Sequence, residues 1–154
     1  MDGKCGNKLR TYKLIKRDYK IENYLTKDLP FRATQAIAKL RLSSHDLAIE
    51  AGRRERPYVP ASKRYCVSCK DKIEDEIHFL VQCPTYEAAR QQLYTVCNIQ
   101  ARGKDEVDIF QQLMSSDQTQ VMHSVGNFII HAMETRKVAQ CPQQDITPST
   151  LSVI

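Results

Sequence analysis

Apolar side chains recur at helical spacing along most of the chain, and this periodicity predicts a mainly α-helical fold. The first clear helix is expected after Asp28, a typical N-cap residue, with Pro30 in its first turn and an end near Ser43 and Ser44. We expect this helix to bury one face in the core. The apolar positions of that face are Leu29, Ala33, Ala36, Ile37 and Leu40.

The widest apolar stripe lies towards the carboxyl end of the chain. Asp117 and Gln120 resemble a capping box that would start a helix there. Gly126 interrupts the stripe and costs a helix about 1 kcal/mol relative to alanine, so we expect a close helix contact at this position. The stripe itself consists of Val121, Met122, Val125, Phe128, Ile129, Ala132 and Met133.

Shorter apolar patterns predict the elements between these two helices. Residues 84 to 96 and 107 to 114 are each expected to form a helix, the first of them starting at Pro84. A short apolar piece from Leu47 to Ala51 is expected to stop at Gly52. The next residues, 53 to 60, are rich in arginine and contain two prolines, which favours a basic connector over a continuous helix.

The same pattern divides the chain into three parts. Residues 1 to 27 are a basic N-terminal segment that could form a helix or an extended arm. Residues 28 to 140 are expected to form one helical domain of four or five helices, which includes a cysteine-rich lobe at 66 to 83. Residues 141 to 154 are rich in Pro, Gln, Ser and Thr, which predicts a flexible tail.

Charge is distributed unevenly along the 154 residues. Residues 1 to 65 carry 16 Lys and Arg against 7 Asp and Glu, whereas residues 66 to 154 carry 7 against 11. The first half would therefore attract a polyanion such as a nucleic acid. A helix-rich surface solvated by lysines is the simpler explanation of the same composition.

The sequence contains no pattern typical of export or membrane insertion. No apolar run reaches the roughly 18 residues that a membrane-spanning helix needs, and the first 25 residues are basic rather than apolar. We therefore expect an intracellular protein, nuclear or cytoplasmic, that does not enter a membrane. Six cysteines in such a compartment would stay reduced, which favours metal binding or burial over disulfides.

Four residues of types suited to bind a metal lie close together in the sequence. Cys66 and Cys69 are separated by two residues, and His78 and Cys83 follow at intervals of eight and four residues. Three thiolates and one imidazole satisfy the tetrahedral preference of zinc, and this set would leave no position for a catalytic water. A local helix over about residues 75 to 82 is expected to carry His78. The sequence therefore predicts a structural zinc site.

Two other interpretations of these cysteines are open. Cysteine is often buried as a small apolar residue, so the spacing could arise by chance. A Cys-x-x-Cys pair can also be a redox site, but that motif normally starts a helix in a thioredoxin-like α/β pattern, which this sequence lacks.

The remaining candidates for chemistry are weaker, and we expect no catalytic residues and no enzymatic activity. His45 stands beside Asp46, but no nucleophile accompanies them, so capping or turn formation is the better interpretation. His123 and His131 are expected on a solvated helix surface. Neither a phosphate-binding glycine loop nor a known catalytic motif is present, so no small-molecule substrate is expected. The other three cysteines, Cys5, Cys97 and Cys141, have no histidine at ligand spacing.

Several of these motifs together resemble a known protein region. Four parts of the sequence are similar to the region downstream of the polymerase in non-LTR retrotransposon polyproteins. They are the stretch from Ala38 to Arg53, the Cys66-x2-Cys69 pair, the stretch from Asp75 to Pro84, and Gly126 to Met133 followed by Arg136. The resemblance covers roughly residues 8 to 137, and the Cys/Cys/His/Cys core is its most specific part.

The resemblance implies that the zinc-binding region helps to engage RNA or DNA beside a reverse transcriptase domain. The polymerase itself is missing, because the chain has no Tyr-x-Asp-Asp motif. A protein-interaction scaffold or a nonfunctional fragment with a structural zinc are the alternatives. The basic residues are interleaved with tyrosines that could stack on single-stranded bases, with ordinary packing the alternative for at least half of them: Tyr12, Tyr19, Tyr58 and Tyr65. The candidate nucleic-acid contacts are Arg53, Arg54, Arg56, Lys63, Arg64, Lys70 and Lys72.

Overall fold

The computed structural model describes residues 8 to 141, and these residues form a mainly α-helical structure around the cysteine-rich lobe, as the periodicity predicts. Within residues 8 to 141, β-type backbone pairing is limited to one isolated antiparallel bridge, between Tyr65 and Ile73. The α-helices of the described residues are α1 (Tyr12–Ile15), α2 (Asn23–Thr26), α3 (Phe31–Arg41), α4 (Ala48–Arg54), α5 (Glu87–Val96), α6 (Glu106–Met114) and α7 (Thr119–Gln140). Three short helical turns join them: 3-10 turns at Ala61–Lys63 and Pro84–Tyr86, and a π-helix at His78–Gln82.

Helices α3 and α7 form the centre of the molecule. A Cβ atom added to Gly126 of α7 would lie 2.6 Å from the Cβ of Ala33 and 2.9 Å from its Cα. The absence of a side chain at Gly126 therefore lets the two helices approach closely, as the sequence predicts. Phe128 of α7 also contacts Phe79 of the cysteine-rich lobe edge to face, with ring centroids 6.3 Å apart.

Some helix ends differ from the prediction. Helix α7 begins at Thr119 after Gln118, and no side chain caps it, so the capping box at Asp117 is wrong. A side-chain cap is found instead on α6, where the Asp105 carboxylate accepts a hydrogen bond from the Val107 N–H.

Helix α4 also extends further than expected, because it passes through Gly52 and ends at Arg54. A Cβ at Gly52 would lie 2.7 Å from the Arg64 Nε. Gly52 therefore makes room for a neighbouring side chain inside the helix, rather than ending the helix.

The described part of the basic N-terminal segment packs on the helical body. Ile15 and Tyr24 are buried in the same core as α3 and α7. The Arg10 guanidinium lies 2.8 Å from the Glu50 carboxylate and 2.5 Å from that of Glu76, and both acids are buried. Residues 1 to 7 and 142 to 154 lie outside the described residues, so the flexible tail stays a prediction.

Among the helices of residues 8 to 141, none combines the length and the apolar character needed to cross a membrane.

Candidate metal centre

A tight backbone turn carries the first two predicted ligands, Cys66 and Cys69. The Cys66 N–H donates to the Lys72 carbonyl at 2.8 Å, and the Lys70 N–H donates to the Cys66 carbonyl at 2.9 Å. Lys70 closes the turn in the left-handed conformation, with φ of 57°. These bonds bring both thiols to one side of a short hairpin.

A single wide helical turn carries the other two predicted ligands. The Asp75 carboxylate accepts from the His78 N–H at 2.7 Å and starts this turn. The Cys83 N–H then donates to the His78 carbonyl at 2.7 Å, which is the i+5 bond of a π-helix. The expected helix around His78 is therefore present, and its π form joins the backbones of the two ligand residues directly.

The four donor atoms of Cys66, Cys69, His78 and Cys83 all lie within 4.8 Å of one another. The Sγ atoms of Cys66 and Cys83 are 3.8 Å apart, and the Cys69 Sγ lies 3.4 Å from the His78 Nε2. Tetrahedral coordination with metal–sulfur bonds of about 2.3 Å places ligand atoms about 3.8 Å apart. The cluster therefore has the dimensions of a four-coordinate metal site and could hold a metal ion. We call residues 66 to 83 the metal lobe.

The environment of the donors differs from one residue to another. Cys66, His78 and Cys83 are buried, whereas Cys69 is half-buried. Burial raises the pKa of Cys66 to about 12 and lowers the pKa of His78. Burial also opposes ionisation of Cys69, but the N–H groups of Asp71 and Lys72 outweigh it and lower the pKa of that thiol. A thiolate therefore forms more easily at the half-buried Cys69 than at the buried Cys66.

A buried ion pair connects the metal lobe to the last helix. The Glu74 carboxylate accepts two bonds from the Arg136 guanidinium of α7, at 2.7 and 2.8 Å, and a third from the Ala48 N–H at 2.6 Å. Its Oε1 also lies 3.7 Å from the Cys66 Sγ. Glu74 and Arg136 are 62 residues apart, so no local pattern in the sequence predicted this pair.

A second arginine fixes the backbone at the last ligand. The Arg90 guanidinium of α5 donates to the Leu80 carbonyl at 3.0 Å and to the Cys83 carbonyl at 2.7 Å. Arg90 is only 1% exposed, so these bonds replace its contacts with water. Helices α5 and α7 therefore each place one buried arginine against the metal lobe.

His45 contributes to a separate buried polar cluster. Its Nε2 lies 2.9 Å from the Glu76 Oε1, which also accepts a bond from the Ser43 hydroxyl at 3.1 Å. Burial opposes ionisation of Glu76, but His45 and Arg10 outweigh it and lower the pKa of the carboxyl. The Nδ1 of His45 accepts from the Leu47 N–H at 3.3 Å, which agrees with the expected role in a turn.

Most of the predicted nucleic-acid contacts are accessible on the surface. Arg54 pairs with the exposed Asp46 at 2.6 Å, and the half-buried Arg53 lies 3.3 Å from the Glu50 carboxylate. The exposed members of the predicted set are Arg54, Arg56, Lys63, Lys70 and Lys72.

Arg64 departs from the predicted role. Its side chain is buried, with 2% exposure, and it donates to the Val59 carbonyl at 2.8 Å and to the Ile49 carbonyl at 2.7 Å. A guanidinium held in this way does not reach a phosphate at the surface. The sequence could not distinguish it from its exposed neighbours, because burial here depends on the space above Gly52.

The other residues singled out in the sequence lie away from the metal lobe. His123 and His131 are exposed on α7, as expected. Cys97 is half-buried at the end of α5, where burial raises its pKa, and Cys141 is exposed. Cys5 lies outside the described residues.

Comparison of the chain with protein-family models, with curated proteins and with solved structures finds no match. The resemblance to the retrotransposon region therefore stays a prediction from the motifs.

Proposed function

We propose that this chain is a zinc-binding module that binds nucleic acid and has no catalytic activity of its own. The resemblance to the region downstream of the non-LTR reverse transcriptase supports RNA or DNA as the partner, together with a reverse transcriptase domain. A protein-interaction scaffold and a nonfunctional fragment are the competing hypotheses.

The observation that carries the proposal is the convergence of three thiols and one imidazole within 4.8 Å. Thiolate and imidazole donors in a tetrahedral arrangement favour zinc over the oxygen-seeking ions Mg²⁺ and Ca²⁺. A bound zinc would supply the positive charge that keeps the buried Cys66 and Cys83 ionised. Because four protein donors fill the tetrahedron, its role would be structural.

The exposed cations near the metal lobe support nucleic acid as the ligand. Arg56 and Lys63 precede the first cysteine, and Lys70 and Lys72 lie in the turn between the two ligand pairs. All four are exposed, and they belong to or adjoin the half of the chain with excess positive charge. Contacts of this kind to phosphates give affinity without choice of sequence.

The zinc part of the proposal is tested by measuring metal content in the purified, reduced protein by mass spectrometry. We expect one zinc per chain, lost in Cys83→Ser and retained in Cys97→Ser, a matched control outside the cluster. The metal assignment would be contradicted if the reduced protein contained no zinc or if the Cys83→Ser variant kept its zinc.

The nucleic-acid part is tested by fluorescence anisotropy with labelled RNA and DNA over a range of salt concentrations. On duplex DNA, we expect the logarithm of the binding constant to fall by about 0.9 per phosphate contact for each tenfold increase in salt concentration. Lys70→Gln with Lys72→Gln should weaken binding and reduce this slope. Arg102→Gln with Lys104→Gln, two exposed cations before α6, should leave both unchanged. Zinc without any nucleic-acid binding would favour the scaffold.

A further inference from the structure

Tyr58 lies on the connector between α4 and the metal lobe with one ring face supported and the rest accessible. The Arg64 guanidinium lies over this ring, with its central carbon 5.1 Å from the ring centroid. Tyr58 is nevertheless 59% exposed. The ring is therefore supported from one side, and a large part of it is open to a ligand.

The support beneath Tyr58 is itself fixed. Arg64 donates to the carbonyls of Val59 and Ile49 and occupies the space that a side chain at position 52 would fill. The Val59 N–H also donates to the Gly52 carbonyl at 3.2 Å, which ties the connector to α4. Because these bonds fix the guanidinium and the backbone that support the ring before any ligand arrives, binding to the ring would cost little conformational entropy.

A second exposed tyrosine, Tyr65, lies in the sequence between Arg64 and the first residue of the metal lobe. Tyr65 directly precedes Cys66 and forms the antiparallel bridge with Ile73. Tyr65 is 51% exposed, although its neighbours Arg64 and Cys66 are both buried. The exposed cations Lys63 and Lys72 are close to it in sequence.

Three other tyrosines of the described residues contribute to the core instead. Tyr24, Tyr86 and Tyr94 are each less than 10% exposed. Exposed aromatic rings next to cations are the features with which proteins bind unpaired bases, because every base offers a flat face while phosphates meet the charges. Bases inside a duplex are already stacked and cannot use such a ring.

We propose that Tyr58 and Tyr65 each stack on an unpaired base, two rings that we call the stacking surface, so that single-stranded nucleic acid is the ligand class of this module. The inference rests on the proposed function, because it names the form of nucleic acid that the basic surface binds. It assigns Arg64 a supporting role beneath Tyr58 in place of the phosphate contact that the sequence predicted.

The test compares a labelled single-stranded 20-mer of mixed sequence with its duplex, using Tyr58→Leu, Tyr65→Leu and Tyr58→Phe. We expect each leucine variant to weaken single-strand binding by about tenfold, within the range measured for loss of one stacked base, and to leave duplex binding unchanged. Tyr58→Phe keeps the flat ring and should bind like the parent. Val138→Ala, which shortens an exposed apolar side chain near the end of α7, is the control and should also bind like the parent.

A fluorescent base analogue gives a direct readout of stacking. 2-Aminopurine in the single strand should be quenched on binding to the parent and less so with Tyr58→Leu. Zinc content and circular dichroism establish that each variant is folded. If Tyr58→Leu does not fold, Tyr65→Leu tests the same surface.

The outcomes separate this inference from the proposed function. The stacking surface would be overturned by equal affinity for single strand and duplex, or by leucine variants that bind like the parent. In that case, salt-sensitive binding would still support the proposed function as a nucleic-acid-binding module. Absence of binding to both ligands by the parent protein would overturn the proposed function and this inference together.

Discussion

The metal lobe and the helical body formed by α3, α5, α6 and α7 are stabilised by different interactions. The body is held by apolar side chains over a long α3–α7 interface, with Gly126 seated on Ala33. The lobe lacks regular strands among its described residues. It shares the apolar core through Phe79, Leu80 and Val81, and it adds a four-residue donor cluster and buried arginines.

This difference determines how each region responds to mutation. Loss of one apolar side chain in the body leaves many other contacts, so the free energy of unfolding should fall by a graded amount. In the lobe, loss of one partner leaves a buried charge or an incomplete donor set, which is costly in a low dielectric. The lobe is therefore expected to fail at single positions, whereas the body should weaken gradually.

The largest effect is expected for Cys83→Ser. With one donor missing, the lobe should lose its metal and unfold locally, because metal binding in small modules contributes about 10 to 16 kcal/mol. Amide hydrogen exchange should accelerate across residues 66 to 83, while α3 and the first half of α7 stay protected. Collapse of protection in both helices would show instead that the body depends on the lobe.

The next largest effect is expected for Arg136→Met, which removes the guanidinium from the buried Glu74. Breaking a buried pair from one side typically costs about 3 to 5 kcal/mol, measurable by urea denaturation of the metal-loaded protein. The double variant Glu74→Gln with Arg136→Met removes both charges and should recover part of the loss. Additive losses in this double-mutant cycle would contradict direct coupling between lobe and body.

A smaller effect is expected for Gly126→Ala, which tests the body alone. The new Cβ would meet Ala33 at 2.6 Å, and overpacking of this kind costs about 1 to 3 kcal/mol, partly offset by about 1 kcal/mol of helix propensity. Metal content should not change. Gln120→Ala, at an exposed position of the same helix, is the control and should be neutral within error.

The smallest effect on stability is expected for Asp46→Ala, which removes the exposed partner of Arg54. Surface ion pairs contribute little, so the free energy of unfolding should change by less than about 1 kcal/mol. Release of Arg54 should instead strengthen nucleic-acid binding at low salt, as measured by anisotropy. Weaker binding in this variant would argue against Arg54 as part of the basic surface.

Local patterns predicted the elements of the fold better than their ends. The periodicity around Ile37 and Phe128 was enough to place α3 and α7, because an amphipathic helix shows its buried face in the sequence. The capping box at Asp117 was wrong, because no side chain caps the helix that starts two residues later. Helix α4 passed through Gly52 because that glycine makes room for Arg64.

The sequence by itself determined the helical class and the four converging residues Cys66, Cys69, His78 and Cys83, because the donors lie within 18 consecutive residues. Only the tertiary structure decided which charges are inside. Glu74 meets Arg136 from 62 residues away, and Arg64 is buried while Lys63 beside it is exposed. The physical reason is that burial of a charge depends on partners brought together by packing, and no local sequence pattern records them.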